Sequence, residues 1–386
     1  MSIYAANLLR ELVALGHDVT MVSQYRDDPF GRGVYGGGPP PPVPGVKVIG
    51  LEARGEAAGG DFERDVAEMV DVIVREHERE PFDIFHAQYG YPNGWALLLA
   101  SQRTGVPNLV SIQGGDGHWV GSCCETHRLA MTRVLTHAGA VLIGGESFVD
   151  EVHERLGTPR ERFTIVPGAV DTERFQPGDG TGHHRPPRLL YHGRVDRRKG
   201  VLDFVAALRT LDARGIEYRA TISGIGPDVE PARAAANGMP AVRFTGYAVY
   251  AQVPELYRQH DIFVSPTYAE GFSNTILEAM ASGLAVVAGR SVGVVDCLRD
   301  GDNGLLVEPG EVPAQAAALE RLIRDERLRA GIAARALEEA RYTYPWSVVA
   351  AQIAGTYEAL RGTRPAPVDP DLPMTPCRFR AEPHLL

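Results

Sequence analysis

Short apolar runs alternate with amphipathic stretches along almost the whole chain, in two series separated by a polar stretch rich in glycine, proline and histidine at residues 176–187. A short apolar run bounded by turn residues reads as a buried strand; apolar residues three and four apart read as one face of a helix. Strands that alternate with helices build parallel sheets covered on both faces. The chain is therefore expected to be α/β, with doubly wound domains at 1–175 and 188–345 joined by a linker at 176–187. Such sheets bind ligands outside the carboxyl ends of their strands, so the site is expected in a cleft between the two domains. Residues 346–362 read as a final helix crossing back to the first domain. Residues 363–386, rich in proline, read as an extended or disordered tail.

The first series opens on a helix. Ile3, Ala6, Leu9, Leu12 and Val13 share one helical face, Gly16-His17 ends it, and residues 18–23 form a strand. A doubly wound domain normally starts one step earlier, on a strand and a Gly-rich turn. Neither precedes Met1, and the natural start is expected upstream. In the second series, strands are expected at 188–191, 218–223, 242–244, 262–265 and 285–288. Helices are expected at 201–214, 231–237, 253–259, 274–282 and, as one long element, 313–342.

Charge narrows the partners. With 39 basic against 49 acidic residues the net charge is −10, and a nucleic-acid partner is not expected, because phosphate backbones need a basic face. No apolar run reaches the roughly 18–20 residues that span a bilayer, and Arg10, Arg26 and Arg32 are too scattered to form an anchor; peripheral membrane contact is left open. Four cysteines (Cys123, Cys124, Cys297, Cys377) without metal-ligand spacing point to a reducing, cytoplasmic setting and no metal site. Cys123 and Cys124 read as small buried hydrophobes.

Two motifs carry chemistry. The first runs Glu270-Gly-Phe-Ser-Asn-Thr-Ile-Leu-Glu278, after the strand at 262–265. A strand, a glycine loop and a helix capped by Ser273 or Asn274 present free N–H groups to an anion. Glu278 lies one turn into that helix, where a carboxylate can accept from ligand hydroxyls. The second motif is Tyr191-His-Gly-Arg194-Val-Asp-Arg-Arg-Lys199-Gly200. Gly193 permits a close turn after the strand, and Arg194 and Lys199 can stabilise charge growing on a phosphate leaving group. Arg197 and Arg198 read as solvated.

These motifs resemble the retaining glycosyltransferases of the GT-B fold, group 4, whose two Rossmann-like domains face each other across a cleft. Three further stretches join them: 165–171, Ser223-Gly224-Ile-Gly226-Pro227, and 302–309. The resemblance runs from Ser2 to about Leu360. It implies transfer of a sugar from a nucleotide-diphosphate donor, a co-substrate rather than a cofactor, by metal-independent front-face substitution. Arg194 and Lys199 would hold the diphosphate, Glu270 the sugar hydroxyls, and Glu278 the ribose. The backbone N–H groups of Phe272, Ser273 and Asn274 would meet sugar and phosphate, with Gly224 and Gly226 along the nucleotide. The acceptor (a small molecule, a glycan or a lipid-linked sugar) is not identified.

The chain departs from the family where the acceptor would bind. The opening Gly-rich loop is missing, Gln113 stands where many relatives have histidine, and His86-Ala-Gln88 replaces a His-x-His pattern. Glutamine can hydrogen-bond a hydroxyl but cannot shuttle a proton. Asp116 and His118, in a different Gly-rich loop at 113–122, are candidates for that role, and His86 reads as a core histidine. Two rival readings follow: a non-catalytic or truncated protein that keeps the fold, and a nucleotide-sugar epimerase or phosphorylase of the same architecture.

Overall fold

The computed structural model describes residues 3–25, 39–52, 62–114, 120–179 and 183–377. It divides into two compact units, Met1–Pro167 with Ser347–Leu386, and Gly168–Trp346.

The first unit opens on helix α1 (Ile3–Ala14), which buries Leu8 and Leu12 and stops where Gly16 turns at φ 89°. Strands β1 (Val19–Tyr25) and β2 (Val46–Glu52) pair in parallel as one sheet. Strands β3 (Phe85–Gln88), β4 (Asn108–Ser111), β5 (Ala140–Ile143) and β6 (Phe163–Ile165) form a second sheet in that order, also parallel. Helices α2 (Phe62–Arg79), α3 (Trp95–Thr104), α4 (Glu125–His137) and α5 (Glu146–Leu156) alternate with the strands. The α/β alternation is the expected one, and among the described residues its strands form parallel sheets of two and four strands. Strand β6 was also not foreseen: Phe163-Thr-Ile165 is half exposed and only three residues long, too short for a periodicity signal.

The second unit is a single six-stranded parallel sheet. Its strands are β7 (Arg188–His192), β8 (Arg219–Ser223), β9 (Val242–Gly246), β10 (Ile262–Ser265), β11 (Ala285–Gly289) and β12 (Leu305–Val307), in the order β12-β11-β10-β7-β8-β9. Every residue of β10 and β11 is buried, as apolar runs covered by helices on both faces should be. Helices α6 (Val201–Ala213), α7 (Val229–Ala235), α8 (Val253–Arg258) and α9 (Asn274–Ala281) connect the strands. The winding reverses between β7 and β10, so the crevice at their carboxyl ends is this sheet's topological switch point.

The long helix expected at 313–342 is two helices, α10 (Val312–Arg324) and α11 (Glu326–Thr343). Asp325 leaves helical geometry and its carboxylate accepts from Leu328 N at 2.8 Å, capping the second helix. The stretch at 176–187 does not mark the division between the units, which falls at Pro167–Gly168. Its described end packs on the second unit: buried Asp261 accepts from Arg188 N at 2.7 Å and lies 2.8 Å from His184 Nδ1.

Helix α12 (Trp346–Leu360) returns to the first unit, where the Tyr357 hydroxyl lies 2.7 Å from His86 Nδ1. The tail that follows is extended but not disordered over its described residues. Gln102 Nε2 donates to Ala366 O at 2.7 Å, Arg133 pairs with Asp369 at 2.8 Å, and Thr375 N donates to Thr126 Oγ1 at 3.1 Å. Composition could not show this, because polar bonds to α3 and α4 leave no periodicity in the sequence. Among the described residues no helix is long and apolar enough to cross a membrane.

Candidate active site

Two loops meet at the switch point. The loop after β7 carries Arg194 and Lys199; the loop after β10 carries Glu270 and runs into α9. Gly200, at φ 72°, lets them touch: a Cβ there would overlap the Pro266 carbonyl. Tyr268 N donates to Arg198 O at 2.9 Å across the same contact. Lys199 Nζ thereby reaches Glu270 Oε1 at 2.6 Å and Ala269 O at 3.4 Å. The expected cation and the expected carboxylate face one another.

Arg194 is held by a residue that sequence reasoning passed over. Buried Asp196 accepts from Arg194 Nε at 2.9 Å, Arg198 Nη2 at 3.2 Å and the backbone N–H groups of Arg198 and Lys199. Burial pushes this carboxyl up, but Arg198 and Arg194 outweigh it and hold it below its ordinary range. Arg197, though exposed, pairs with Asp228 at 2.9 Å, which also accepts its N–H at 2.7 Å. A signal was present: an aspartate just ahead of a turn of three basic residues is a capping position.

Gly224 and Gly226 lie where the loop after β8 crosses the loop after β7. A Cβ at Gly224 would overlap Gly193 O, and one at Gly226 would overlap Val195 O. Both glycines therefore shape the Arg194 loop from beneath. Gly193 sits at φ 145°, a conformation side chains resist, and its N–H donates to Ser223 O at 3.1 Å.

At α9 the residue in capping position is Ser273, buried and without a side-chain bond to the helix backbone; its hydroxyl lies 3.3 Å from Thr275 Oγ1. Neither Ser273 nor Asn274 closes the helix end with its side chain. Asn274 Oδ1 is buried and makes no hydrogen bond among the described residues. The Phe272 ring packs on Tyr344, centroids 5.8 Å apart, which leaves its backbone as the part that can serve a ligand.

Glu278 is half-buried one turn along α9. The Tyr257 hydroxyl donates to its Oε2 at 3.0 Å and to Thr275 O at 3.2 Å. Burial raises the Glu278 pKa to about 7, against the opposing pull of Tyr257 and the Arg174 guanidinium. Tyr257 and Arg174 are the second pair that sequence reasoning missed. Arg174 lies over the Tyr250 ring at 4.3 Å and donates to its carbonyl at 3.1 Å.

The acceptor-side candidates belong to the first unit. Gln113 Nε2 donates to Gln88 Oε1 at 3.1 Å. His86 Nε2 lies 2.7 Å from Ser111 Oγ and 3.1 Å from Gln88 Nε2; burial pushes its pKa down to about 4, so it is a neutral, hydrogen-bonded ring. Asp116 and His118 lie outside the described residues.

Residues 186–325 match the family described as Glycosyl transferases group 1, and residues 1–169 match that described as Glycosyl transferase 4-like domain. The chain is 37% identical over 201 residues to the phosphatidyl-myo-inositol mannosyltransferase of Mycolicibacterium smegmatis. That match takes in 51% of this chain and 52% of that protein, about half the length of the relative. It is 29% identical to the D-inositol 3-phosphate glycosyltransferase of Acidothermus cellulolyticus, over 95% of this chain and 87% of that one. The solved structure of Anabaena HepE in complex with UDP and glucose superposes with a TM-score of 0.71 at 18% identity, covering 92% of this chain and 96% of that one, a likeness of fold.

Proposed function

This chain belongs to the group 1 glycosyltransferases of the GT-B fold, and we propose that it moves a sugar from a nucleotide-diphosphate donor to an acceptor hydroxyl with retention at the anomeric carbon. The observation that carries the reading is the meeting of Arg194, Lys199, Glu270 and the start of α9 at one switch point.

As the bond between the sugar and the diphosphate breaks, negative charge grows on the leaving oxygen. Arg194 and Lys199 supply fixed positive charge there, and the first N–H groups of α9 add the positive end of a helix dipole. These cations do the work that a divalent metal does elsewhere. Glu270 accepts from the sugar's hydroxyls and Glu278 from the ribose. In front-face substitution the acceptor oxygen bonds the anomeric carbon on the side the diphosphate leaves, and its proton passes to a phosphate oxygen. No protein nucleophile is then needed. The solved complex of HepE with UDP makes a uridine nucleotide the first donor to test. Four free cysteines fit a cytoplasmic protein.

The test is a melting-temperature screen with UDP, GDP, ADP, dTDP and their sugars. A ligand at a hundred times its Kd adds about 2.7 kcal/mol, several degrees for a chain of this size. With the donor so found, proton NMR follows its slow hydrolysis. An α-linked donor should release the α-sugar first. Release of the β-sugar would overturn retention; no shift with any nucleotide would overturn the donor site.

A further inference from the structure

Three ligand-bearing residues sit within one turn at the start of α4. Cys124 is its capping residue, in extended geometry, and its Sγ accepts from His127 N at 3.4 Å. Cys123 precedes it, and its Sγ lies 2.9 Å from His127 Nδ1. The fourth residue arrives from the far end of the chain. Cys377 Sγ lies 3.6 Å from Cys123 Sγ and 3.4 Å from His127 Nδ1. The ligand atoms of Cys123, Cys124, His127 and Cys377 all fall within 4.8 Å of one another.

We propose that these four side chains form a closed, tetrahedral zinc site that clips the C-terminal tail to the first unit, independently of the transfer reaction. Zinc–sulfur bonds of about 2.3 Å and zinc–nitrogen bonds of about 2.0 Å set tetrahedral edges of roughly 3.8 Å between sulfurs and 3.6 Å between sulfur and nitrogen. The Cys377 distances lie within a few tenths of these edges; on binding, the Cys123–His127 contact would open by about 0.7 Å and the widest spacing, up to 4.8 Å, would close by about 1 Å. Three thiolates and an imidazole are soft to borderline donors that favour zinc over magnesium or calcium. All four positions are taken by protein, so the site is structural.

The tail supplies a second argument. Its polar attachments are few: Gln102 to Ala366 O, Arg133 to Asp369 and to the Asp371 carbonyl, and the buried Thr126 to Pro373 O and Thr375. A few polar contacts of this kind contribute little against the entropy of ordering fifteen or so residues. A metal bridge at the last described residue supplies what those contacts lack. A Cys123–Cys377 disulfide is the competing arrangement, and it would leave Cys124 and His127 unused.

The full chain, purified under reducing conditions without added metal, is assayed by mass spectrometry for bound metal. About one zinc per chain is expected, falling at least tenfold in Cys377→Ser. That variant alters only the tail, so its fold is kept; Cys123→Ser and His127→Asn should agree where they fold. Cobalt substitution should give the intense visible bands of tetrahedral thiolate cobalt, lost in Cys377→Ser. Trypsin should release the tail of Cys377→Ser at least tenfold faster than that of the zinc-loaded chain. A full equivalent of zinc in Cys377→Ser, less than a tenth in the reduced wild type, or a Cys123–Cys377 disulfide in the peptide map would each overturn the proposal.

Discussion

Lys199 Nζ lies 2.6 Å from Glu270 Oε1, joining the loop after β7 to the loop after β10 at the point where the sheet's winding reverses. Both side chains are partly exposed, so the pair contributes at most ~1 kcal/mol to folding. In the proposed function its use is positional, each partner holding the other where a donor's diphosphate and sugar would lie. Lys199→Ala should therefore melt within a few degrees of the wild type while donor turnover falls about 10²–10³-fold, the cost of removing one preorganised donor of positive charge. Calorimetry and a donor-hydrolysis assay check both halves. Equal turnover in the variant would remove Lys199 from the site. The same assay should show no gain from added magnesium or manganese.

Glu278 gives a pH signature. Its carboxyl has a pKa of about 7 in the fold against an ordinary 4.5, with burial as the main cause. Between those values the folded chain holds a proton that the unfolded chain has lost, so stability falls as pH rises through this window and then levels. Glu278→Gln has no such charge to bury. It should be more stable than the wild type by about 2 kcal/mol at pH 8 and lose the advantage by pH 4.5. Its affinity for the donor nucleotide should nonetheless drop at least tenfold, because the amide replaces a charged acceptor. Urea melts at the two pH values, with nucleotide titrations at pH 8, separate the effects. A variant that gains stability and keeps full affinity would leave Glu278 as core.

How much of this was legible depends on the distance over which each residue acts. Strands such as Ile262–Ser265 and Ala285–Gly289 are buried on both faces, and their composition alone announces them. Arg194, Lys199, Glu270 and Glu278 were legible because each sits a fixed few residues beyond a strand or into a helix. Of the partners that hold them, Asp196 lies two residues from Arg194 and its capping signal was there to read, whereas Tyr257 meets Glu278 across 21 residues and was not legible. Nor was Cys377, which meets His127 across 250 residues. Asp325 was legible in principle, yet the apolar periodicity of 312–324 and 326–343 runs on so smoothly that one capping residue did not break the pattern.

Gly200 tests whether loop contact positions the lysine. A side chain there meets the Pro266 carbonyl, a backbone atom that cannot swing away, and the residue needs φ 72°. Gly200→Ala should cost about 1–3 kcal/mol and lower donor affinity with it, since the two loops must part. Gly215→Ala is the control, because it shares a positive φ of 67° but has open space around its Cβ. It should show about 1 kcal/mol of strain and unchanged nucleotide binding. Equal binding losses in both variants would mean that strain in general, and not the Pro266 contact, disturbs the site.

Asp196 has the largest expected effect, because one buried carboxylate serves four donors in the loop that carries both cations. Asp196→Asn keeps the shape but removes the charge between Arg194 and Arg198, and its amide N–H groups point at donors. Breaking a buried pair of this kind costs about 3–5 kcal/mol; Arg198 is partly exposed, so the lower end is expected here. The carboxyl's pKa is depressed in the fold, which fixes the sign with pH. Its stabilisation is complete above the ordinary value of 3.8 and fades as pH falls through the lower folded value. The wild type's advantage over Asp196→Asn should thus be flat from pH 8 to 5 and shrink below 3.8. Because Arg194 loses its anchor, nucleotide affinity should fall even in chains that remain folded. Denaturant melts across that range, paired with nucleotide titration at pH 7, measure both. Unchanged affinity in folded Asp196→Asn would show that Arg194 needs no anchor to do its work.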